Sequence, residues 1–138
     1  MRLRILPPVV SLSLILVAGV RAEIAPQPMS TAANVVVGTI EKVATRTAPF
    51  GGDGVRTDYT ATVKVDKVER GDQVKPGDTI QVTWFNVTKR PSRAFPGAYG
   101  FRYPAKEKSK IRVWLHKGDG KTFRVIYNSD GIEALKTE

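Results

Sequence analysis

The sequence predicts an all-β domain arranged as a five-stranded Greek-key barrel, with a small β-sandwich as the alternative. Segments rich in β-branched residues recur from Asn34 onward, and the clearest of them alternates apolar and polar residues from Tyr59 to Asp66. No segment has the spacing of a long amphipathic helix. The chain has no cysteine, so burial alone must hold it together. A barrel suits such a chain because it closes the sheet edges that would otherwise invite association.

Two strands with local irregularities are predicted in the first half of the domain. The first covers residues 35–43, and Gly38 inside it predicts a bulge or a close approach of another backbone. A glycine-rich loop is expected over residues 48–56. In the second strand the apolar phase slips between Val65 and Val68. This slip predicts a β-bulge near Asp66-Lys67 that bends the strand.

Three more strands and one long loop follow. Ile80, Val82 and Trp84 share one face of the third strand. The pair Asp119-Gly120 predicts a hairpin turn between the fourth and fifth strands. The third, fourth and fifth strands are expected over residues 79–85, 111–116 and 123–127, with a long, proline-broken loop over 86–110 and a closing turn or short strand over 132–136.

Three stretches of the chain carry a resemblance to a known kind of domain. They are NVVVGTIEKV, YTATVKVDKVERGDQVKPGDTIQV and KIRVWLHKGDGKTFRVIYNSDGIEAL, within residues 34–135. They resemble exported bacterial domains with an OB-fold, which are similar in architecture to netrin-like modules and to tissue inhibitors of metalloproteinases. The resemblance implies an OB-like barrel over residues 34–138 and implies no function. The animal inhibitors depend on an N-terminal cysteine and on disulfides that this chain lacks, so their mechanism does not carry over.

The first 22 residues have the pattern of a secretory signal. Arg2 and Arg4 precede an apolar run over residues 9–20, and small or tolerated residues lead to a cleavage site after Ala22. A helix of about 12 residues rises roughly 18 Å, too short for a hydrocarbon core of about 30 Å. We therefore expect a secreted or periplasmic protein without a membrane span after cleavage, an uncleaved anchor being the alternative. Residues 23–33 are expected to form a flexible lead-in.

The positive charge of the chain predicts where it contacts a ligand. The formal net charge is +9, and residues 86–110 hold seven basic residues against the single acid Glu107. Basic and aromatic side chains interleave in this basic loop, as they do where OB-type barrels grip nucleic acids or sugar chains. For an exported protein we expect an anionic glycan or another envelope polymer and no nucleic acid. The residues expected to bind are Arg90, Arg93, Tyr99, Phe101, Arg102, Tyr103 and Lys106.

Two other interpretations of the same features remain open. The aromatic residues of the basic loop can instead anchor it to the sheet while its charges keep it solvated. Alternatively, the chain is a protein-binding or inhibitor module that uses the sheet face around Trp84 and Trp114. If Trp114 faces solvent beside Arg112, the sheet is the better candidate for the contact face.

Catalytic, metal and cofactor sites are not predicted. His116 is the only histidine, and the chain has no nucleophile elbow and no cysteine. The Asp-Gly pairs lack the alternating acids of a calcium loop. We therefore expect a binding module that is not an enzyme. Catalysis would require His116 to lie within hydrogen-bond reach of an acid and a hydroxyl group.

Overall fold

The computed structural model describes residues 25–95, 97–100, 102–103 and 105–136, and in them the protein is all-β. The predicted signal, residues 1–22, lies outside the described residues. In the described part of the chain, no helix has the length and apolar character needed to cross a membrane. A 3₁₀ turn at Met29–Thr31 precedes the strands β1 (Asn34–Phe50), β2 (Gly54–Arg70), β3 (Thr79–Lys89), β4 (Lys110–Leu115), β5 (Thr122–Arg124) and β6 (Ile132–Leu135).

The strands form one mixed sheet in the order β5-β3-β2-β1-β4-β6, so the prediction of a closed five-stranded barrel is wrong in its details. Only the β3–β5 pair is parallel among the ladders of the described residues. In a closed five-stranded barrel, β5 would pair along the free edge of β4. In this sheet β6 pairs with that edge from Lys110 to Val113, and a single bridge joins Leu115 to Val125.

The first two strands make a longer hairpin than the sequence predicts. The expected loop over residues 48–56 is only a tight turn between Phe50 and Gly54, because both flanking strands continue into it. The predicted bulge is confirmed, since Val37 pairs with Lys67 and Gly38 with Val65. Asp66 is left without a partner in this register.

Gly38 lies where β1 and β2 come closest. A Cβ atom at this position would lie 2.5 Å from the Lys64 carbonyl oxygen and 2.7 Å from Cγ1 of Val63. The predicted close approach of another backbone is therefore confirmed, and only glycine fits there without moving the strands.

One hydrophobic core collects the inward side chains of all six strands, so the sheet curves around it. Within the buried stretches of the longer strands, alternation places every second residue in this core. The buried members include Val36 and Ile40 of β1, Val63 of β2, Ile80, Val82 and Trp84 of β3, Ile111 and Val113 of β4, Phe123 of β5 and Ile132 of β6.

The segment before β1, expected to be a flexible lead-in, packs against the outer face of the sheet from residue 27 onward. Ala32 joins Val35 and Ile126 in a second buried cluster, with Trp114 against it. Gln27 donates its backbone N–H to the Tyr127 carbonyl oxygen at 2.7 Å. The Gln27 side-chain oxygen accepts the Tyr127 N–H at 3.0 Å. These bonds fix the segment beside the chain that follows β5.

Candidate functional site

The basic loop is anchored at its start to the β1–β2 turn. Asp53 accepts hydrogen bonds from the backbone N–H of Ser92, at 2.8 Å, and from its hydroxyl group. These bonds lower the pKa of the Asp53 carboxyl group. The rings of Phe50 and Phe95 lie 4.5 Å apart, and Phe50 is buried although it lies at the end of β1. The tip of the hairpin therefore serves as the support for the loop.

Tyr99 ties the middle of the basic loop to the same support. Its ring lies 5.5 Å from that of Phe50, and its backbone oxygen accepts the N–H of Val87 in β3 at 3.1 Å. The Arg90 guanidinium lies 5.1 Å from the centre of the Tyr99 ring, within the range of a cation–π contact. Arg90 and Tyr99, both expected to bind ligand, thus lie together.

Tyr103 anchors the far end of the basic loop. Its ring meets Trp84 edge-on at 5.9 Å, and Trp84 stacks on Tyr59 at 5.2 Å with the planes nearly parallel. Burial raises the pKa of the Tyr103 phenol above its usual value, so the group stays neutral at physiological pH. The contacts of Tyr99 and Tyr103 are those of an anchored loop.

The predicted cationic residues are exposed. Arg90, Arg93, Arg102 and Lys106 all have exposed side chains on the basic loop. No ion pair of these residues is found within the described part of the chain. Phe101, also expected to bind ligand, lies outside the described residues. The anchored loop therefore presents an unneutralised positive surface.

A pocket of about 530 Å³ opens between the basic loop and the outer face of the sheet. Ala98 and Gly100 of the loop form part of its wall, held in place by the bridge between Asn86 and Gly100. The side of the pocket formed by the sheet includes Arg56, Asp58, Phe85, His116, Arg124 and Tyr127. The volume falls within the range of about 300–1,000 Å³ that is usual for small-molecule sites.

The charged groups of the pocket differ in how far they are neutralised. Nε of Arg56 lies 3.0 Å from the Asp58 carboxylate, and the Arg56 guanidinium lies 5.0 Å from the centre of the Phe85 ring. Arg124 has no ion pair among the residues described. Partial burial and, to a lesser extent, the charge of Arg124 lower the pKa of His116. The imidazole is therefore neutral near pH 7, and Arg124 is the uncompensated cation.

A network of side-chain hydrogen bonds fixes the backbone near His116. The buried Asn34 side chain donates to Oε1 of Gln73 at 3.0 Å, and the same oxygen accepts the N–H of Gly118. Gln73 in turn donates to the Gly118 carbonyl oxygen at 3.2 Å. Because these bonds join three separate segments, they hold the end of β4 in place at the edge of the pocket.

Sequence reasoning missed the sheet residues of the pocket. One signal was present: Phe85 is out of phase with Ile80, Val82 and Trp84, so an aromatic side chain had to lie on the outer face of β3. The position of Arg124 had no local signal. It reaches the pocket because β5 pairs with β3 in parallel and places Arg124 beside Thr83.

The alternative contact face around the tryptophans is largely occupied. Trp84 is only 4 % exposed and belongs to the core. Trp114 is half-buried on the outer face, against the cluster that contains Ala32. Beside it, Arg112 bonds to the carboxylates of Glu69 and Glu133, which compete with any partner for its charge.

Among the described residues, His116 lacks the partners of a catalytic group and the acidic residues form no metal-binding cluster. The His116 ring has no hydrogen bond to an acid or a hydroxyl group there. No group of three or more His, Cys, Asp or Glu residues in that part of the chain could hold a metal ion.

Comparison with known proteins gives no further assignment. No family model, no curated protein and no solved structure matches the chain.

Proposed function

We propose that the protein is an exported, non-enzymatic binding module for an anionic glycan, and that the basic loop and the adjoining pocket form its contact surface. The observation that carries the proposal is that the loop with the excess positive charge also supplies a wall of the pocket, through Ala98 and Gly100. A polymer bound along the loop could thus place one of its units in the pocket. We further propose that the curved sheet is a variant of the OB-like barrel, in which β6 takes part of the edge of β4.

The chemistry of the surface supports a glycan. Threonine hydroxyls and aromatic rings share the pocket, and sugars present both hydroxyl groups and apolar C–H faces. Exposed arginines on the loop favour a polyanion, since guanidinium groups bind carboxylate and sulfate oxygens through paired hydrogen bonds. The alternative of a protein-binding face at Trp84 and Trp114 has less support, because Trp84 is buried and Trp114 is partly covered.

The proposal is tested by retention of the purified protein on immobilised heparin and on a neutral matrix across a salt gradient. The triple variant R90A/R93A/R102A is compared with K42A/K64A/K75A, which removes the same charge from exposed positions elsewhere. We expect the arginine variant to elute at much lower salt. If each arginine makes one ionic contact, the slope of log K against log salt falls by about two to three. Equal retention of the two variants would refute the proposal.

A further inference from the structure

We propose that a row of side chains across the floor of the pocket recognises one carboxylate-bearing sugar residue, a hexuronate unit; this inference rests on the proposed glycan-binding function. The row consists of Thr60, Thr83, Arg124 and His116. It would bind the charged unit itself, whereas the basic loop attracts the polymer.

The strand register places these four residues side by side. Thr60 pairs with Thr83 across β2 and β3, and Thr83 pairs with Arg124 across β3 and β5. The Arg124 carbonyl oxygen accepts the backbone N–H of His116 at 2.9 Å. Because neighbouring strands lie about 4.8 Å apart, the row spans roughly 14 Å. Residues of β2, β3 and β5 and the residue after β4 therefore contribute one continuous polar strip.

Arg124 is the group in the strip that selects for negative charge. The other arginine of the pocket, Arg56, is already paired with Asp58. The guanidinium of Arg124 is exposed and has no such partner among the described residues. A carboxylate can accept two parallel hydrogen bonds from it, which gives both strength and orientation. A neutral sugar offers no group for this contact.

The remaining members of the strip match the hydroxyl groups of a sugar ring. Thr60 and Thr83 can each donate and accept a hydrogen bond, and a neutral imidazole has one donor and one acceptor nitrogen. The Thr83 hydroxyl is only weakly engaged, at 3.5 Å from the Phe123 carbonyl oxygen. Phe85 and Tyr127, both half-buried in the pocket lining, offer apolar surface to the C–H face of the ring.

Binding of a carboxylate should couple to protonation of His116. Without ligand, partial burial and the charge of Arg124 keep its pKa low. A bound carboxylate would counter the charge of Arg124 and raise that pKa, so affinity should increase as the pH falls toward the ordinary histidine range. The other charged or titratable groups lining the pocket are Arg56, Asp58, Tyr59 and Tyr127. Of these, Asp58 is already paired with Arg56.

The test is an NMR titration of the purified protein with D-glucuronate at pH 6 and pH 7.5. D-glucose lacks the carboxylate and acetate lacks the ring, so both are matched control ligands, and glucose 6-sulfate separates carboxylate from sulfate recognition. We expect glucuronate to shift the amides of Thr83, Arg124 and His116 and to raise the pKa of the His116 ring. We expect at least tenfold weaker binding of glucose and acetate.

Variants separate this proposal from the role of the basic loop. R124A should weaken glucuronate binding at least tenfold, and R124K should recover only part of it because a lysine lacks the paired donors. K75A, which changes an exposed lysine outside the pocket lining and outside the basic loop, should leave glucuronate binding unchanged. Unchanged affinity in R124A, or equal binding of glucose, would overturn the inference. If heparin retention depends on the loop arginines but glucuronate does not bind, only the hexuronate site is refuted. If glucuronate binds but heparin retention does not depend on the loop arginines, only the role of the loop is refuted.

Discussion

Phe50 contacts two residues of the basic loop, and Phe50→Ala tests how far the position of the loop depends on it. Its ring contacts Phe95 at 4.5 Å and Tyr99 at 5.5 Å, while only 6 % of Phe50 is exposed. Removing it leaves both loop residues without their shared contact. The expected result is a loop that detaches from the hairpin tip while the core remains folded.

The size of the effect follows from the surroundings of Phe50. Truncation of a buried phenylalanine to alanine costs about 3–5 kcal/mol, and the cost depends on how well the site collapses. Phe95 is 37 % exposed, so the loop side of this contact can move into water. We therefore expect the free energy of unfolding to fall by about 3 kcal/mol, at the low end of this range. This figure includes about 0.5–1.5 kcal/mol for each of the two aromatic contacts.

Two measurements separate detachment of the loop from general loss of stability. Urea unfolding gives the change in the free energy of unfolding. Hydrogen exchange at the Val87 amide reports the loop, because that N–H is bonded to the Tyr99 carbonyl oxygen at 3.1 Å. In Phe50→Ala, the protection factor of the Val87 amide should fall at least tenfold, under conditions where core amides such as that of Val63 remain protected.

Phe123→Leu is the matched control for this prediction. Phe123 is a fully buried aromatic residue of β5 that lies in the main core. Its truncation should lower the free energy of unfolding without exposing the Val87 amide preferentially. The reasoning fails if Phe50→Ala leaves the protection of Val87 as in the wild type, since the loop would then be held by other contacts.

Two further predictions concern the sheet. Gly38→Ala should lower the free energy of unfolding in urea by about 3 kcal/mol, the upper end of the range for overpacking, because its Cβ would lie 2.5 Å from the Lys64 carbonyl oxygen. Gly77→Ala is the control, since no atom lies within 4 Å of its Cβ, and it should cost only about 1 kcal/mol for its positive φ. Equal costs in the two variants would contradict the steric argument. The hydrogen bond from Arg112 lowers the pKa of Glu69 in the folded state. The ion pair therefore stabilises the fold fully above the pKa of an unfolded glutamate, about 4.3, and this stabilisation is lost as the pH falls through the lower pKa of the folded state. The melting temperature of Glu69→Gln should therefore lie below that of the wild type at pH 6 and converge with it in strong acid; a difference independent of pH would count against this ion pair.

Local features of the sheet were predictable because they depend on residues close together in the chain. The bulge at Asp66 follows from a phase slip within one strand, and the turn at Gly120 follows from an Asp-Gly pair. The continuation of β1 and β2 through residues 48–56 was not predictable in this way. Pro49 and the glycines at 51, 52 and 54 are typical of a loop, so the sequence of this part predicts a turn and not strands.

The pairing of distant strands had no signal of this kind. The segments β5 and β6 follow one another within 20 residues, and how they share the edge of β4 is settled only when the sheet assembles. The same limit applies to the pocket. Its polar strip joins residues of β2, β3 and β5 with the end of β4, and only the completed sheet brings them together.

The two interpretations of the basic loop, as an anchored segment and as a contact surface, are compatible in this geometry. The rings of Tyr99 and Tyr103 face the protein, against Phe50 and Trp84, while the cationic side chains remain exposed. A loop that is already anchored loses less conformational entropy when a ligand binds, and this favours affinity. The stacking role expected of the loop tyrosines would then fall to Phe85 and Tyr127 in the pocket. The loop would provide charge and a wall, and the sheet would provide the specific contacts.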